Sequence, residues 1–417
     1  MADIVGTNGV DDLDGTTGDD TINPLQSNPA FGVGDLVDGG QGYDTLIVDA
    51  SAATVGITSG TFLDGGGFTV FFLRSNATSP GPYFFVEEAR GMQNVNLTGG
   101  SGGDILVGLS NTGVGDFLDG RGGNDSITGA AGADTIYGGN DNDTIYGGSG
   151  NDELWGGNHI DTLFGEDGND YFYVSFGADT LDGGAGIDTA DFTLFDPTTT
   201  GGVTVSLAQE TATFENLSGT WILRSIAIVA TGDSNDVLVG DGLNNALAAN
   251  GGSDWLLGGG GADILYGGEG TDFVFGDADD DDIYGGGGND VITGGAGRDL
   301  LYGGNHPDNP GPDGNDRFDF NKASESRPRE ANRDIILGFN DGDKIDLRSI
   351  DANRDLPGNQ VFKWRPVFKK GVEGQLKYSP LTGLVQGDIN GDRKPDFEIQ
   401  VYGDNQFTNL DKADFFL

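Results

Sequence analysis

The chain has 417 residues, 77 of them glycine and none cysteine, and 67 acidic against 21 basic side chains give a formal charge of −46. That charge excludes nucleic acid and an anionic membrane surface as partners, because both need clustered Lys and Arg, and the missing cysteines exclude a disulfide framework. Apolar residues make up 35% of the chain and recur at a fixed spacing, so a disordered acidic tail is excluded once cations neutralise the self-repulsion.

Residues 1–47 begin with neither the basic start nor the apolar run of a signal peptide. They hold pieces of a nine-residue pattern, Gly-Gly-x-Gly-x-Asp-x-aliphatic-x: two copies over residues 6–23 with Asp11 and Asp20, and one over 39–47 with Asp44. Glycines at the first, second and fourth positions permit a tight turn with positive φ whose carbonyls converge, and the sixth-position Asp adds a hard oxygen suited to calcium. The last three residues form a short strand with the middle aliphatic pointing inward. Two repeats close one coil, so equivalent Asp residues stack every eighteen residues, about one coil apart, along two edges.

Residues 48–98 leave the pattern and carry strand signals in FTVFFL from Phe68 and YFFV from Tyr83, with a turn at Pro80-Gly81-Pro82. This insertion is either a binding surface peculiar to the protein or a β cap packed on the repeats. Residues 99–191 form the first main repeat region, opening with Asp104 in GGSGGDILV and running without interruption over 120–191. Asp125, Asp143, Asp161 and Asp179 are expected on one edge, and Asp134, Asp152, Asp170 and Asp188 on the other. Residues 192–230 form a second β insertion, with the alternation Val203, Val205, Leu207 of a half-buried strand.

Residues 231–302 form the second main repeat region, with Asp236, Asn245, Asp254, Asp263, Asp272, Asp281, Asp290 and Asp299 at the ligand position. The amide of Asn245 makes a weaker site than a carboxylate. Asp141, His159, Ser234, Leu243 and Asp279 replace the fourth-position glycine and weaken the case for their individual sites. Residues 303–417 differ in composition, since every lysine falls after Asn321. Within them Asp388, Asn390, Asp392 and Asp396 alternate around Gly391, either as a calcium loop lacking a twelfth-position Glu or as a solvated acidic turn.

The GGNDNDTIY, GGSGNDELW and GGNHIDTLF units over 138–164 resemble the calcium-binding nonapeptide repeats of hemolysin-type RTX proteins. The stretches NDRFDF, RDIILGFNDGDKIDLRSIDA, VQGDINGDRKPDFEIQV and LDKADFFL resemble the C-terminal domain of serralysin-type secreted metalloproteases. The two resemblances imply an all-β protein, with parallel β-roll segments, β-strand insertions and a C-terminal capping and secretion domain. They imply calcium ions as the cofactor, a type I ABC exporter as partner with Asp414, Phe415, Phe416 and Leu417 in the signal, and secretion to the exterior of a Gram-negative bacterium.

The zinc motif HExxH of the serralysins is absent, and His159 and His306 are the only histidines. GGSGG around Ser101 matches a hydrolase nucleophile elbow only by lying in a glycine-rich repeat. No enzyme is therefore expected, and no segment approaches the ~18 apolar residues of a membrane span. The aromatic ninth positions Tyr137, Tyr146, Trp155, Phe164, Tyr173, Tyr266, Phe275, Tyr284 and Tyr302 form outward ladders that either stabilise the strands or touch a partner. The expected role is structural or self-assembling, as in an S-layer or adhesive matrix. The rivals are a monomeric module binding a cell-surface glycan, and a toxin or enzyme with its site in residues 48–98.

Overall fold

The computed structural model describes residues 94–109, 115–195, 200–304, 314–329, 331–352, 359–403 and 410–417 with their side chains, and short strands between residues 3 and 90 as backbone. The chain divides into two compact units, Met1–Leu194 with Ser218–Ile226, and Phe195–Leu217 with Ala227–Leu417. Each is a parallel β-roll. Among the described residues regular structure is nearly all strand, and no helix is long and apolar enough to cross a membrane.

In the first unit the repeats alternate between two parallel ladders. One runs through Phe117–Gly122, Thr135–Asn140, Glu153–Asn158, Tyr171–Tyr173 and Thr189–Asp191. The other runs through Ile105–Val107, Ser126–Ala131, Thr144–Ser149, Thr162–Asp167 and Thr180–Ala185. Partners lie one coil apart, as in Ile127 with Ile145 and Ile136 with Leu154. The roll holds its shape because strand alternation points one aliphatic per repeat inward: Leu118, Ile127, Ile136, Ile145 and Leu154 are all 0% exposed. A core one side chain thick per strand buries little area against the entropy of ordering a glycine-rich backbone.

Residues 48–98 supply an antiparallel meander, in which Thr69–Ser75 pairs with Tyr83–Arg90 and with Thr61–Leu63. It returns to parallel pairing where Asn94–Thr98 joins Thr45–Asp49 and Phe117–Gly122. The segment 192–230 is shared between the units. Trp221–Arg224 pairs in parallel with Thr180–Ala185 in the first. Val203–Ser206 forms a hairpin with Thr211–Phe214 and pairs in parallel with Val237–Val239 in the second.

The second roll does not stop where the nonapeptides do. Val291–Ala296 pairs with Arg317–Asp319, which pairs with Lys344–Asp346, which pairs with the terminal strand Phe415–Phe416. On the other side Leu300–Tyr302 pairs with Ile335–Leu337, and this with Phe397–Val401. Phe318, Ile336 and Ile345 are 0% exposed and continue the stack of Leu256, Leu265, Val274, Ile283, Ile292 and Leu301. A meander of Gln375–Ser379, Leu384–Asp388 and Phe397–Val401 closes this end.

Candidate metal centre

The short strand of each repeat is preceded by the turn that carries its sixth-position Asp, and these turns stack along the edges of the rolls. The backbone N–H of each such residue donates to Oδ1 of the Asp one coil later. In the first roll one ladder runs from Asp104 to Asp125, Asp143, Asp161 and Asp179, with N···O distances of 2.6, 2.8, 2.8 and 2.9 Å. Its companion joins Asp116, Asp134, Asp152, Asp170 and Asp188. In the second roll Asp236, Asp254, Asp272, Asp290, Asp316 and Asp343 form one ladder. Asn245, Asp263, Asp281, Asp299 and Asp334 form the other.

Oδ1 is thereby used, and the second carboxylate oxygen is left over. Oδ2 of Asp125, Asp134, Asp143, Asp152, Asp161, Asp170, Asp188, Asp236, Asp254, Asp263, Asp272 and Asp281 is buried and receives no hydrogen bond. An anionic oxygen shut away from water and donors is costly, so a repeated set of them marks places where a cation belongs. The first-position glycine completes the cradle. A Cβ on Gly129 would lie 2.3 Å from Oδ2 of Asp134 and 2.5 Å from the Gly147 carbonyl of the next coil, and one on Gly138 would lie 2.5 Å from both Oδ2 of Asp143 and the Gly156 carbonyl. Only glycine leaves that space, onto which a carboxylate and a carbonyl oxygen converge.

Among the described residues no three His, Cys, Asp or Glu side chains gather around one point. The oxygens that converge at each turn are a carboxylate and a backbone carbonyl, hard donors of the kind calcium takes. Burial also pushes the ladder carboxyls up, to about 8 for Asp125, Asp254 and Asp281 and about 7 for Asp143, Asp152 and Asp179, with neighbouring rungs adding like-charge repulsion at most of them. A bound divalent cation removes that penalty.

Some turns close differently. Oδ2 of Asp104 accepts the Gly100 N–H at 2.7 Å, and Oδ2 of Asp116 accepts that of Leu109 at 2.5 Å. Asn245 turns its Oδ1 toward Gly240, where it accepts the Asp241 N–H at 2.9 Å. Asn245→Asp is expected to tighten calcium binding at this turn by about tenfold, the worth of ~1.4 kcal/mol, which flow dialysis of the two proteins would resolve. Around Gly391 the oxygens are already engaged. Asp388 accepts from Gly391 and Arg393, Asp396 from Ile389 and from the Asn390 amide, Asn390 from Asp392, and Asp392 from Lys394. This turn is closed by its own donors and does not present the orphaned oxygens of the roll.

Asp11, Asp20 and Asp44 lie outside the described residues, as does His306. Three of the fourth-position replacements, Asp141, His159 and Asp279, keep the glycine-like backbone with φ of 75°, 83° and 76°, and the Asp two residues on stays in its ladder in each case. His159 is exposed and its Nδ1 accepts the Asp141 N–H at 3.2 Å.

Asp116, Asp316, Asp334 and Asp343 join the ladders although the nonapeptide spacing does not place them there. The pattern also hid a second, exposed ladder at the fifth position. Oδ1 of Asn124 accepts from the Asn142 N–H, Asn142 from Ile160, Asn151 from Asn169, and Asn169 from Ile187, each at 2.9 to 3.1 Å. The recurrent Asn-Asp pair was its signal.

Stacked turns of this build define a calcium-binding parallel β-roll. The RTX calcium-binding nonapeptide repeat matches residues 5–23, 119–154, 155–190, 230–274, 248–283 and 275–305, and the chain carries these RTX repeats. No curated protein matches the chain. Solved structures do, among them extracellular lipase LipA from Serratia marcescens at 18% identity, covering 67% of this chain and 40% of that one with a TM-score of 0.23. The chain thus spans well under half of that lipase, and the likeness is too loose to transfer activity.

Proposed function

We propose that the protein is exported unfolded, that external calcium sets its rolls, and that the product is a structural or self-assembling surface or matrix protein and not an enzyme. The observation that carries this reading is the ladder of buried carboxylate oxygens with no donor. A thin core cannot offset them, so folding is coupled to metal binding. The cytoplasm is poor in free calcium and the exterior rich in it, which fits secretion, the usual fate of RTX repeat proteins in Gram-negative bacteria. A chain of charge −46 also repels its own copies until divalent ions neutralise it, so calcium favours association as well as folding.

The aromatic ladders fit the structural role better than a glycan site. Tyr137, Trp155 and Tyr173 stack at 4.4 and 4.0 Å with interplanar angles of 18° and 7°, and Tyr266, Tyr284 and Tyr302 at 4.8 and 4.5 Å. Each ring covers the face of the next, which is the face a sugar would need.

Electron microscopy of the purified protein is expected to show lattices or fibres in millimolar calcium and none in chelator. Single particles under both conditions would overturn the assembly role. Removal of residues 410–417 is expected to abolish export through a type I ABC exporter, and normal secretion of that truncation would overturn the exporter assignment.

A further inference from the structure

The carboxylate ladder passes beyond the nonapeptides on the edge that carries Asp263, Asp281 and Asp299. The N–H of Asp299 donates to Oδ1 of Asp334 at 3.1 Å, across 35 residues of sequence. Asp334 stands in the stretch ANRDIIL, which contains no nonapeptide, and the repeat match ends at residue 305. Its strand neighbour Ile335–Leu337 nevertheless pairs with Leu300–Tyr302 as one more rung.

The chemistry of the interior turns recurs here. Asp299 and Asp334 are both 0% exposed, and Oδ2 of each is buried with no hydrogen-bond partner. A third carboxylate, Glu325 at 9% exposure, lies within electrostatic reach of both. The nearby cation Arg333 is committed to Glu398 at 3.5 Å. Ser326 closes the back of the site, its Oγ accepting the Asp334 N–H at 2.8 Å and donating to the Glu398 carbonyl. Two buried carboxylates with free oxygens and no cationic partner are costly in a dry interior unless a cation joins them.

We infer that Asp299 and Asp334 hold a further calcium ion at the C-terminal end of the second roll, outside every nonapeptide, with Glu325 strengthening it electrostatically. The site rests on the reading that the rolls bind calcium through their ladder carboxylates, and it adds a rung that ties the C-terminal segment to the roll.

Ion stoichiometry of the full chain, by equilibrium dialysis and elemental analysis, tests it with calcium alone as the probe. Asp334→Asn is expected to bind one calcium fewer than the parent, as is Asp161→Asn in the interior of the first roll. If Asp161→Asn loses an ion and Asp334→Asn loses none, this site is overturned while the roll reading stands. If neither loses one, the roll reading falls and the site with it. Should Asp334→Asn not fold, Glu325→Gln replaces it: a three- to tenfold weakening of one site with the total count kept supports the site, and an unchanged isotherm overturns it.

Discussion

In excess chelator at pH 8 the protein is expected to lose most of its strand signal by circular dichroism, and to recover much of it at about pH 4 with no calcium added. The ladder carboxyls of the metal-free roll are raised by burial to between about 6, as at Asp134, Asp161 and Asp170, and about 8, as at Asp125, Asp254 and Asp281. A carboxyl raised on folding contributes stability that is fully present below its unfolded value, and that is lost as the pH rises through its folded value. The metal-free roll is therefore most stable in acid, and its stability drains away as the pH rises from the ordinary carboxylate value near 4 toward the raised values of about 6 to 8. A tenfold change in proton affinity is worth about 1.4 kcal/mol, so three rungs held that far above the ordinary carboxylate range outweigh the ~5–15 kcal/mol net stability of a domain.

Calcium inverts the dependence. It binds the ionised rungs, so its midpoint falls as the pH rises, by about tenfold per pH unit for each proton an ion displaces. The full result is a crossing: acid favours the fold in chelator and opposes it in limiting calcium. Equal strand content in chelator and calcium at pH 8 would overturn the coupling of folding to metal.

Gly165→Ala is expected to be severe although it adds one methyl group. Its Cβ would lie 2.1 Å from Oδ2 of Asp170 and 2.6 Å from the Gly183 carbonyl, in the space where these two oxygens converge. Overpacking of this kind costs about 1–3 kcal/mol before the ion is considered, and the lost ion leaves Oδ2 of Asp170 buried without a partner. A calcium titration followed by circular dichroism should show a higher midpoint and one ion fewer. Gly122→Ala in the same roll is the control, since the nearest atom to its Cβ is 3.9 Å away. Matching midpoints for the two variants would remove the first glycine from the cation site.

The nonapeptide makes the roll readable from sequence because each of its positions has a separate physical task. The inward stack of Ile127, Ile136, Ile145 and Leu154 follows from strand alternation alone. What the spacing hides is register kept across inserted chain. Asp116, Asp316 and Asp334 occupy rungs because backbone hydrogen bonds choose the neighbouring strand, and the intervening segments only have to span the gap. A period search loses count there, while the ladder does not. The abrupt appearance of lysines after Asn321 likewise marks a change of surface and not an end to the pairing, because the inward positions Phe318, Ile336 and Ile345 remain apolar. The alternating acids around Gly391 differ from the ladder in that their oxygens also accept hydrogen bonds from their own turn.

The fifth- and sixth-position ladders run in opposite senses. At one coil, the Ile160 N–H reaches back to Asn142 while the Asp161 N–H reaches forward to Asp179. Loss of hydrogen bonds is consequently one-sided. Loss of the Asp161 side chain strands the N–H of Asp143, buried in the coil before it, whereas loss of the Asn142 side chain exposes only the N–H of Ile160 in the coil after it, which water can serve. In these hydrogen bonds a lesion in the acidic edge falls on its upstream neighbour, giving the stack of turns a direction of failure.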